Sequence, residues 1–293
     1  MFQKRTDLAL EAQELWKESA EETTNLSGVR ARETRREGCA VTRVDILDGR
    51  GAAALGKPEG RYISLDLREL PRDSGGFARA AEALAGELAP LLPEEGSLLA
   101  VGLGNRAMTP DALGPLALEY LLVTRHLAAA PPFDRFRPVA ACAAGVLGRT
   151  GMESAETVEA LVGQLRPAAV LVIDALAARR QERLCATVQL SDSGIVPGSG
   201  VGNHRHPLNR ETLGVPVIAI GVPTVIDGAT LAADLLESAG EEADGALLRR
   251  TGAVTVTPRD IDAQVRELAK VIGYGINRAV HGLSVEETAA LLG

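Results

Sequence analysis

Residues 97–105 read Ser-Leu-Leu-Ala-Val-Gly-Leu-Gly-Asn, and residues 168–176 read Ala-Ala-Val-Leu-Val-Ile-Asp-Ala-Leu. Neither run alternates polar with apolar residues. A strand that is apolar on both sides must be covered on both sides, as in a parallel sheet packed between helices. In such sheets the carboxyl ends of the strands are where ligands bind. The first run leads into Thr109-Pro110-Asp111-Ala112, and the second ends on Asp174. Each run therefore delivers a carboxylate to the same sheet edge. Two carboxylates that meet do not both ionise readily, so they share a proton and become an acid and a base.

Strand–helix units continue outward from these runs. Residues 138–143, 185–190 and 216–221 read as further strands, and 40–47 and 61–67 alternate like half-buried ones. Helical spacing covers 8–20, 76–92, 154–165, 227–238, 258–281 and 284–292. A helix is also expected to start at Thr109, with Thr109 as N-cap and Pro110 in the first turn. Ser154 is the expected cap of the helix at 154–165. Residues 23–38 have few apolar anchors and read as a loop or a second helical piece. Residues 239–252 read as an acidic surface loop. The order of elements predicts a single α/β domain, with a mostly parallel central sheet flanked by helices and some antiparallel strands.

The chain has 293 residues and is 46% hydrophobic, ample for a real core, yet only 3% aromatic, so Ala, Val, Leu and Ile must build it. A net charge of -8 argues against a duplex-binding surface. The three cysteines, Cys39, Cys142 and Cys185, are too few and scattered for a disulfide framework or a metal knuckle, and point to a reducing compartment. No signal-like apolar stretch opens the sequence, and no run approaches a membrane-spanning length, so a cytoplasmic protein is expected.

Singly, each motif has an ordinary reading. Asp111 near a helix start suits the helix dipole, and Asp174 at the end of a buried run suits capping of backbone N–H groups. As a pair at matching strand ends, they suit acid–base chemistry. Gly102, Gly104 and Asn105 read as a tight turn; Ala107 stands where a dinucleotide fingerprint needs its third glycine. The second glycine-rich segment carries Gly198, Gly200, Gly202 and Asn203. It reads as a surface loop, one wall of a peptide groove or an anion nest. His204 and His206 follow with no third metal ligand in view. No nucleophile elbow, H-E-x-x-H or Cys/His pair is present.

Together the motifs resemble one family. The blocks are Arg5-Thr6-Asp7-Leu8-Ala9, Val101-Gly102-Leu103-Gly104-Asn105 with Thr109-Pro110-Asp111, Leu122-Val123-Thr124-Arg125-His126, and Ile173-Asp174-Ala175-Leu176. Pro197-Gly198-Ser199-Gly200-Val201-Gly202-Asn203, 213–225 and Val256-Thr257-Pro258-Arg259-Asp260 complete them, in collinear order over nearly the whole chain. This set resembles the spore germination proteases. The resemblance implies an atypical aspartic endopeptidase of the forespore and spore core, homotetrameric; no cofactor is expected, and no metal, since carboxylates without a softer ligand do not hold a transition metal tightly. It degrades small acid-soluble spore proteins on germination. Asp111 and Asp174 match the family's catalytic pair, and the fold is expected to be similar to that of hydrogenase maturation proteases. The glycine loops become candidates for substrate or oxyanion binding. The resemblance also implies a zymogen cut between Asp7 and Leu8, giving a propeptide of 1–7 and a peptidase domain of 8–293. Only seven residues precede that cut, and 239–252 is shorter than the family's insertion. Two other classes stay open: a metal-dependent maturation-type protease using the same aspartates, and a non-proteolytic nucleotide-binding α/β protein using the glycine loops.

Overall fold

Both quoted runs are strands, Leu98–Leu103 and Ala169–Ala178, and they pair side by side in parallel from Leu98↔Ala169 to Gly102↔Ile173. The computed structural model describes residues 4–19, 26–71, 73–202, 205–241, 245, 248 and 254–292. In chain order the first elements are α1 (Ala9–Ser19), β1 (Val29–Arg36), β2 (Cys39–Ile46), α2 (Gly49–Leu55), β3 (Gly60–Asp66) and α3 (Ser74–Leu88). Then come β4 (Leu98–Leu103), α4 (Leu113–Leu118), β5 (Val139–Gly145), α5 (Leu147–Thr150), α6 (Ser154–Leu165) and β6 (Ala169–Ala178). The chain continues with β7 (Thr187–Ser191), α7 (Arg210–Leu213), β8 (Val217–Asp227), α8 (Gly228–Ser238), β9 (Thr255–Val256), α9 (Ile261–His281) and α10 (Val285–Leu292).

The strands form one sheet in the order β1-β2-β3-β7-β8-β6-β4-β5, with β9 on β8. The single α/β domain expected from the sequence is observed. Its sheet is mixed: β8, β6, β4 and β5 pair in parallel, while β1, β2, β3, β7 and β8 pair antiparallel, as does β9 with β8. The parallel half carries the two aspartates.

Period-two alternation sends neighbouring residues of β4 and β6 to opposite faces, and both faces are apolar. Leu98, Ala100, Leu171 and Ile173 join Leu84, Leu113, Leu116, Val265, Leu268 and Ile272 under α3, α4 and α9. Leu99, Val101, Leu103, Val170 and Val172 join Val158, Val162 and Leu213 under α6 and α7. This two-sided cover explains the absence of polar alternation. Burying one such Leu, Ile or Val contributes about 1.5–3 kcal/mol relative to exposure. On α9 the buried positions Ile261, Val265, Leu268, Ala269, Ile272 and Ile276 fall on one stripe, as helical spacing requires.

Several local expectations are corrected. Residues 29–36 are strand β1, not loop or helix. Their sequence Val-Arg-Ala-Arg-Glu-Thr-Arg-Arg has no buried face, and the strand exists through its pairing with β2, from Val29↔Ile46 to Arg36↔Cys39. A charged edge strand also discourages pairing with other chains. The helix expected at Thr109 is a 3-10 turn over Thr109–Asp111 with no side-chain cap, and the α-helix starts at Leu113. Helix α6 is capped by Glu153, whose N–H donates to Glu156 Oε2 (2.8 Å), not by Ser154. The seven-residue α2, capped by Asp48, was not anticipated. Most of 239–252 lies outside the described residues. No helix among the described residues is long and apolar enough to cross a membrane.

Candidate active site

Strand β4 ends at Leu103, and Gly104 turns the chain at φ +101°. A Cβ there would lie 2.0 Å from the Asp111 carbonyl oxygen, so only glycine permits this return. The turn closes through Asp111 N–H to the Met108 carbonyl (2.8 Å) and Asn105 N–H to Asp111 Oδ2 (2.8 Å). It is tied to the sheet by Thr224 on β8, whose Oγ1 donates to the Pro110 carbonyl (2.7 Å). Gly114, at the start of α4, allows the same close approach: a Cβ would lie 2.4 Å from the carbonyls of Ile173 and Leu103. The aspartate turn is thereby pressed over β6. Asp174 faces it from β6, opposite Gly221 of β8, and its Oδ1 accepts the Ala175 N–H (2.9 Å).

Asp111 and Asp174 line one cavity of about 430 Å³, with Gly104, Leu176, Gly198 and Thr224. Asp174 is 5% exposed. Burial lifts its carboxyl well above the ordinary range, and the neighbouring charges of Asp111 and Asp7 push the same way against the Ala175 N–H. Burial also raises Asp111, opposed by the Asn105 N–H, which favours the ionised form. The arrangement can hold one proton between two carboxyls beside a space large enough for a peptide segment.

The chain's own N-terminal residues enter that cavity. Asp7 lines it, and also lines an adjoining cavity of about 320 Å³. Asp7 N–H donates to the Ala177 carbonyl (2.9 Å). Its carboxylate accepts from Ala177 N–H (2.8 Å) and Ser199 Oγ (2.6 Å). Gln189 of β7 spans the next bond: Nε2 donates to the Asp7 carbonyl (3.2 Å) and Oε1 accepts the Ala9 N–H (2.8 Å). Leu8 is fully buried among Leu176, Ala178 and Ile226. Lys57 Nζ donates to the Thr6 carbonyl (3.3 Å); burial pushes this lysine down, against the charges of Asp7 and Glu11.

The other residues singled out from the sequence fall into different roles. Gly104 and Gly198 line the cavity with the two aspartates. Gly102 lies inside β4, packed on the backbone of Gly114. The Asn105 N–H is committed to Asp111, and the Asn105 side chain faces an adjacent surface cavity. Gly200 and Gly202 face Asp7 and Arg5 of the N-terminal segment instead of the aspartate pair. Asn203 and His204 lie outside the described residues, and His206 is exposed. Among the described residues, no group of three or more His, Cys, Asp or Glu side chains is placed to hold a metal ion. Thr224, Gln189, Ser199 and Gly114 were not singled out. The signal for Thr224 is a polar residue inside the apolar run of β8, which is costly to bury unless it is hydrogen-bonded; Gln189 lies in the alternating Thr-Val-Gln-Leu-Ser of β7 and gives no such signal.

Fold and site define a class: an α/β protein whose parallel strands bring two burial-perturbed carboxyls into one peptide-sized cleft. The sequence model of the germination protease family matches residues 9–239. The germination protease of Caldanaerobacter subterraneus is 43% identical over 321 residues, covering 98% of each chain. That of Clostridium perfringens is 42% identical over 313 residues, covering 96% of each. The chain belongs to the germination protease family. Among solved structures, the [NiFe] hydrogenase maturation protease HycI from Thermococcus kodakarensis is similar at 18% identity and TM-score 0.38, covering 65% of this chain and 99% of that one.

Proposed function

We propose that this chain is an aspartic-type endopeptidase that degrades small acid-soluble spore proteins during germination, with Asp111 and Asp174 as its catalytic pair. The observation that carries this reading is the meeting of the two carboxyls in one cavity, with Asp174 lifted by burial and by Asp111. Asp174 holds the proton, since burial and the neighbouring Asp111 charge both disfavour its ionised form, against the Ala175 N–H. Asp111, bonded by Asn105 N–H, is the ionised partner. Asp111 takes a proton from water as the water oxygen bonds to the scissile carbonyl carbon, and Asp174 gives its proton to the carbonyl oxygen. When the tetrahedral diol collapses, the C–N bond breaks. The proton on Asp111 passes to the leaving amine, and a diol hydroxyl proton returns to Asp174. Gly104 and Gly198 line the same cavity, and their backbone N–H groups are the candidates for polarising the scissile carbonyl as Asp174 protonates it.

The same reading makes residues 1–7 a propeptide, removed by a cut between Asp7 and Leu8, and 8–293 the mature peptidase. Asp7 lies in the cleft with both carboxyls, which supports self-processing. The active assembly is a homotetramer in the spore core.

The test is incubation of the purified chain with a small acid-soluble spore protein, read by mass spectrometry. Cleavage of the substrate and a new terminus at Leu8 are expected, unaffected by chelator. Asp111→Asn and Asp174→Asn should each lose about 10²–10⁴-fold in rate, the range for removing a general acid or base. Full activity in either variant refutes the pair. Activity lost to chelator and restored by zinc or nickel points to a metalloprotease instead.

A further inference from the structure

The N-terminal segment is the one peptide seated in the cleft, and its first two described residues rest on α8. Lys4 Nζ lies 2.6 Å from Asp234 Oδ1 and 2.5 Å from Glu237 Oε2, with the lysine side chain only 10% exposed. Arg5 Nη1 lies 3.5 Å from Asp227 Oδ1, and Arg5 N–H donates to Thr230 Oγ1 (3.1 Å). Thr230 Oγ1 donates in turn to Asp227 Oδ2 (2.9 Å). Positions 227, 230, 234 and 237 follow the i, i+3, i+7, i+10 spacing of one helix face. The face is held in place: Asp227 caps α8 through Thr230 N–H (3.0 Å), and Arg179 Nε contacts both oxygens of Asp234 at 3.0 Å. From the other side, a Cβ at Gly202 would lie 3.0 Å from Arg5 Nη1, so this bare backbone closes the seat.

We propose that Asp227, Asp234 and Glu237 form a specificity subsite for basic residues two and three positions ahead of the acidic residue in a peptide substrate. The inference rests on the peptidase reading above and names the peptides it favours: an extended Lys-Arg-x-acidic segment followed by a large apolar residue. Extended peptides gain register from main-chain bonds to a strand and selectivity from side-chain seats. Here the Asp7–Ala177 bond supplies the register, and the α8 carboxylates supply the seat two and three residues upstream. A substrate that displaces the segment meets the same carboxylates.

The test uses the full chain with a labelled peptide of sequence Lys-Arg-Thr-Asp-Leu-Ala-Leu-Glu and a second peptide with Ala at both basic positions. The chain's own segment competes equally with both peptides, so it cancels from their ratio. With the ion pairs at both basic positions lost, the Ala peptide should have kcat/KM about tenfold lower than the parent. Glu237→Lys should lower the preference for Lys at the first position and favour a peptide with Glu there. Glu237 is the variant of choice because Asp234 also holds the buried Arg179. Equal cleavage of parent and Ala peptides, in wild type and Glu237→Lys alike, overturns the subsite and leaves the peptidase standing. Charge-dependent binding by fluorescence anisotropy with no cleavage supports the subsite and refutes the peptidase. Neither binding nor cleavage of the parent overturns both.

Discussion

Gly200→Ala tests where the N-terminal segment sits. An added Cβ would lie 2.1 Å from Asp7 Oδ2, 2.6 Å from Asp7 Cγ and 2.7 Å from Ala177 Cβ. Unlike Gly198 and Gly202, at φ +73° and +74°, Gly200 does not use the left-handed region, so alanine fits its backbone. Ala177 cannot yield easily, because it belongs to β6 and pairs with Val225 of β8. Asp7 must move, and its carboxylate then loses Ala177 N–H and Ser199 Oγ. Hydrogen bonds to a charged group contribute about 1.5–3 kcal/mol each, so the pair is worth about 3 kcal/mol at the lower figure. At 1.36 kcal/mol per power of ten, that is roughly a hundredfold shift toward the open segment. Hydrogen exchange at the Asp7 amide, which donates to the Ala177 carbonyl, reads this directly. Exchange about a hundredfold faster is expected, with slower self-cleavage between Asp7 and Leu8. Unchanged exchange at that amide refutes the placement of Asp7 against Gly200. Unchanged self-cleavage in a protein whose Asp7 amide has opened refutes the seated segment as the processed one.

Further outcomes follow from burial and charge. Asp174 has a folded pKa above its unfolded one, so its stabilising contribution is complete below the unfolded value near 3.8 and is lost as pH rises through the folded value. Asp174→Asn removes that loss: thermal melts should show the variant more stable than wild type at pH 7, with the gap closing toward pH 4. A gap that widens on acidification contradicts the assigned direction. Glu11 is fully buried and accepts the N–H groups of Arg179 (2.6 Å) and Arg180 (2.9 Å). Glu11→Ala leaves both donors unpaired at about 1–3 kcal/mol each, so urea denaturation should show about 2–6 kcal/mol lower stability. Leu8→Ala opens a cavity among Leu176, Ala178 and Ile226 and should cost about 2–5 kcal/mol in the same assay.

The parallel half of the sheet was legible because its signal is local. Leu98–Leu103 and Ala169–Ala178 are apolar at every pleat position but Asp174, and two-sided burial is the only environment that suits such strands. The stripe on α9 was legible for the same reason. Strand β1 was not, because nothing in Val-Arg-Ala-Arg-Glu-Thr-Arg-Arg asks for burial; its conformation comes from β2 across the turn at Glu37 and Gly38, at φ 52° and 84°. Propensity gives way there to a partner strand's open edge.

The site divides along the same line. Asp111 and Asp174 could be paired from sequence because each closes a strand run, and parallel neighbours present those ends together. The contacts that surround them are non-local. Asp7 meets Ala177 and Ser199 across sequence separations of 170 and 192 residues, and Thr224 reaches Pro110 across 114. No spacing rule spans such distances. What the sequence does carry is a constraint at Thr224, a hydroxyl inside the apolar run of β8; Gln189, in the alternating β7, is buried as well, and an unbonded amide or hydroxyl would be costly in either place. Each therefore required a polar partner from elsewhere in the fold. For Gln189 that partner is the backbone on both sides of the Asp7–Leu8 bond, and for Thr224 it is the turn that carries Asp111. Replacing either by an apolar isostere, Gln189→Leu or Thr224→Val, should therefore disturb function beyond its effect on stability. Gln189→Leu frees the bond to be cut, and Thr224→Val frees the turn that aims one of the two carboxyls. Each should slow both self-processing and cleavage of added peptide, the first chiefly through a higher KM and the second chiefly through a lower kcat. Losses that only track the unfolded fraction, with kcat and KM unchanged in the folded protein, would show that the two residues merely hold the sheet.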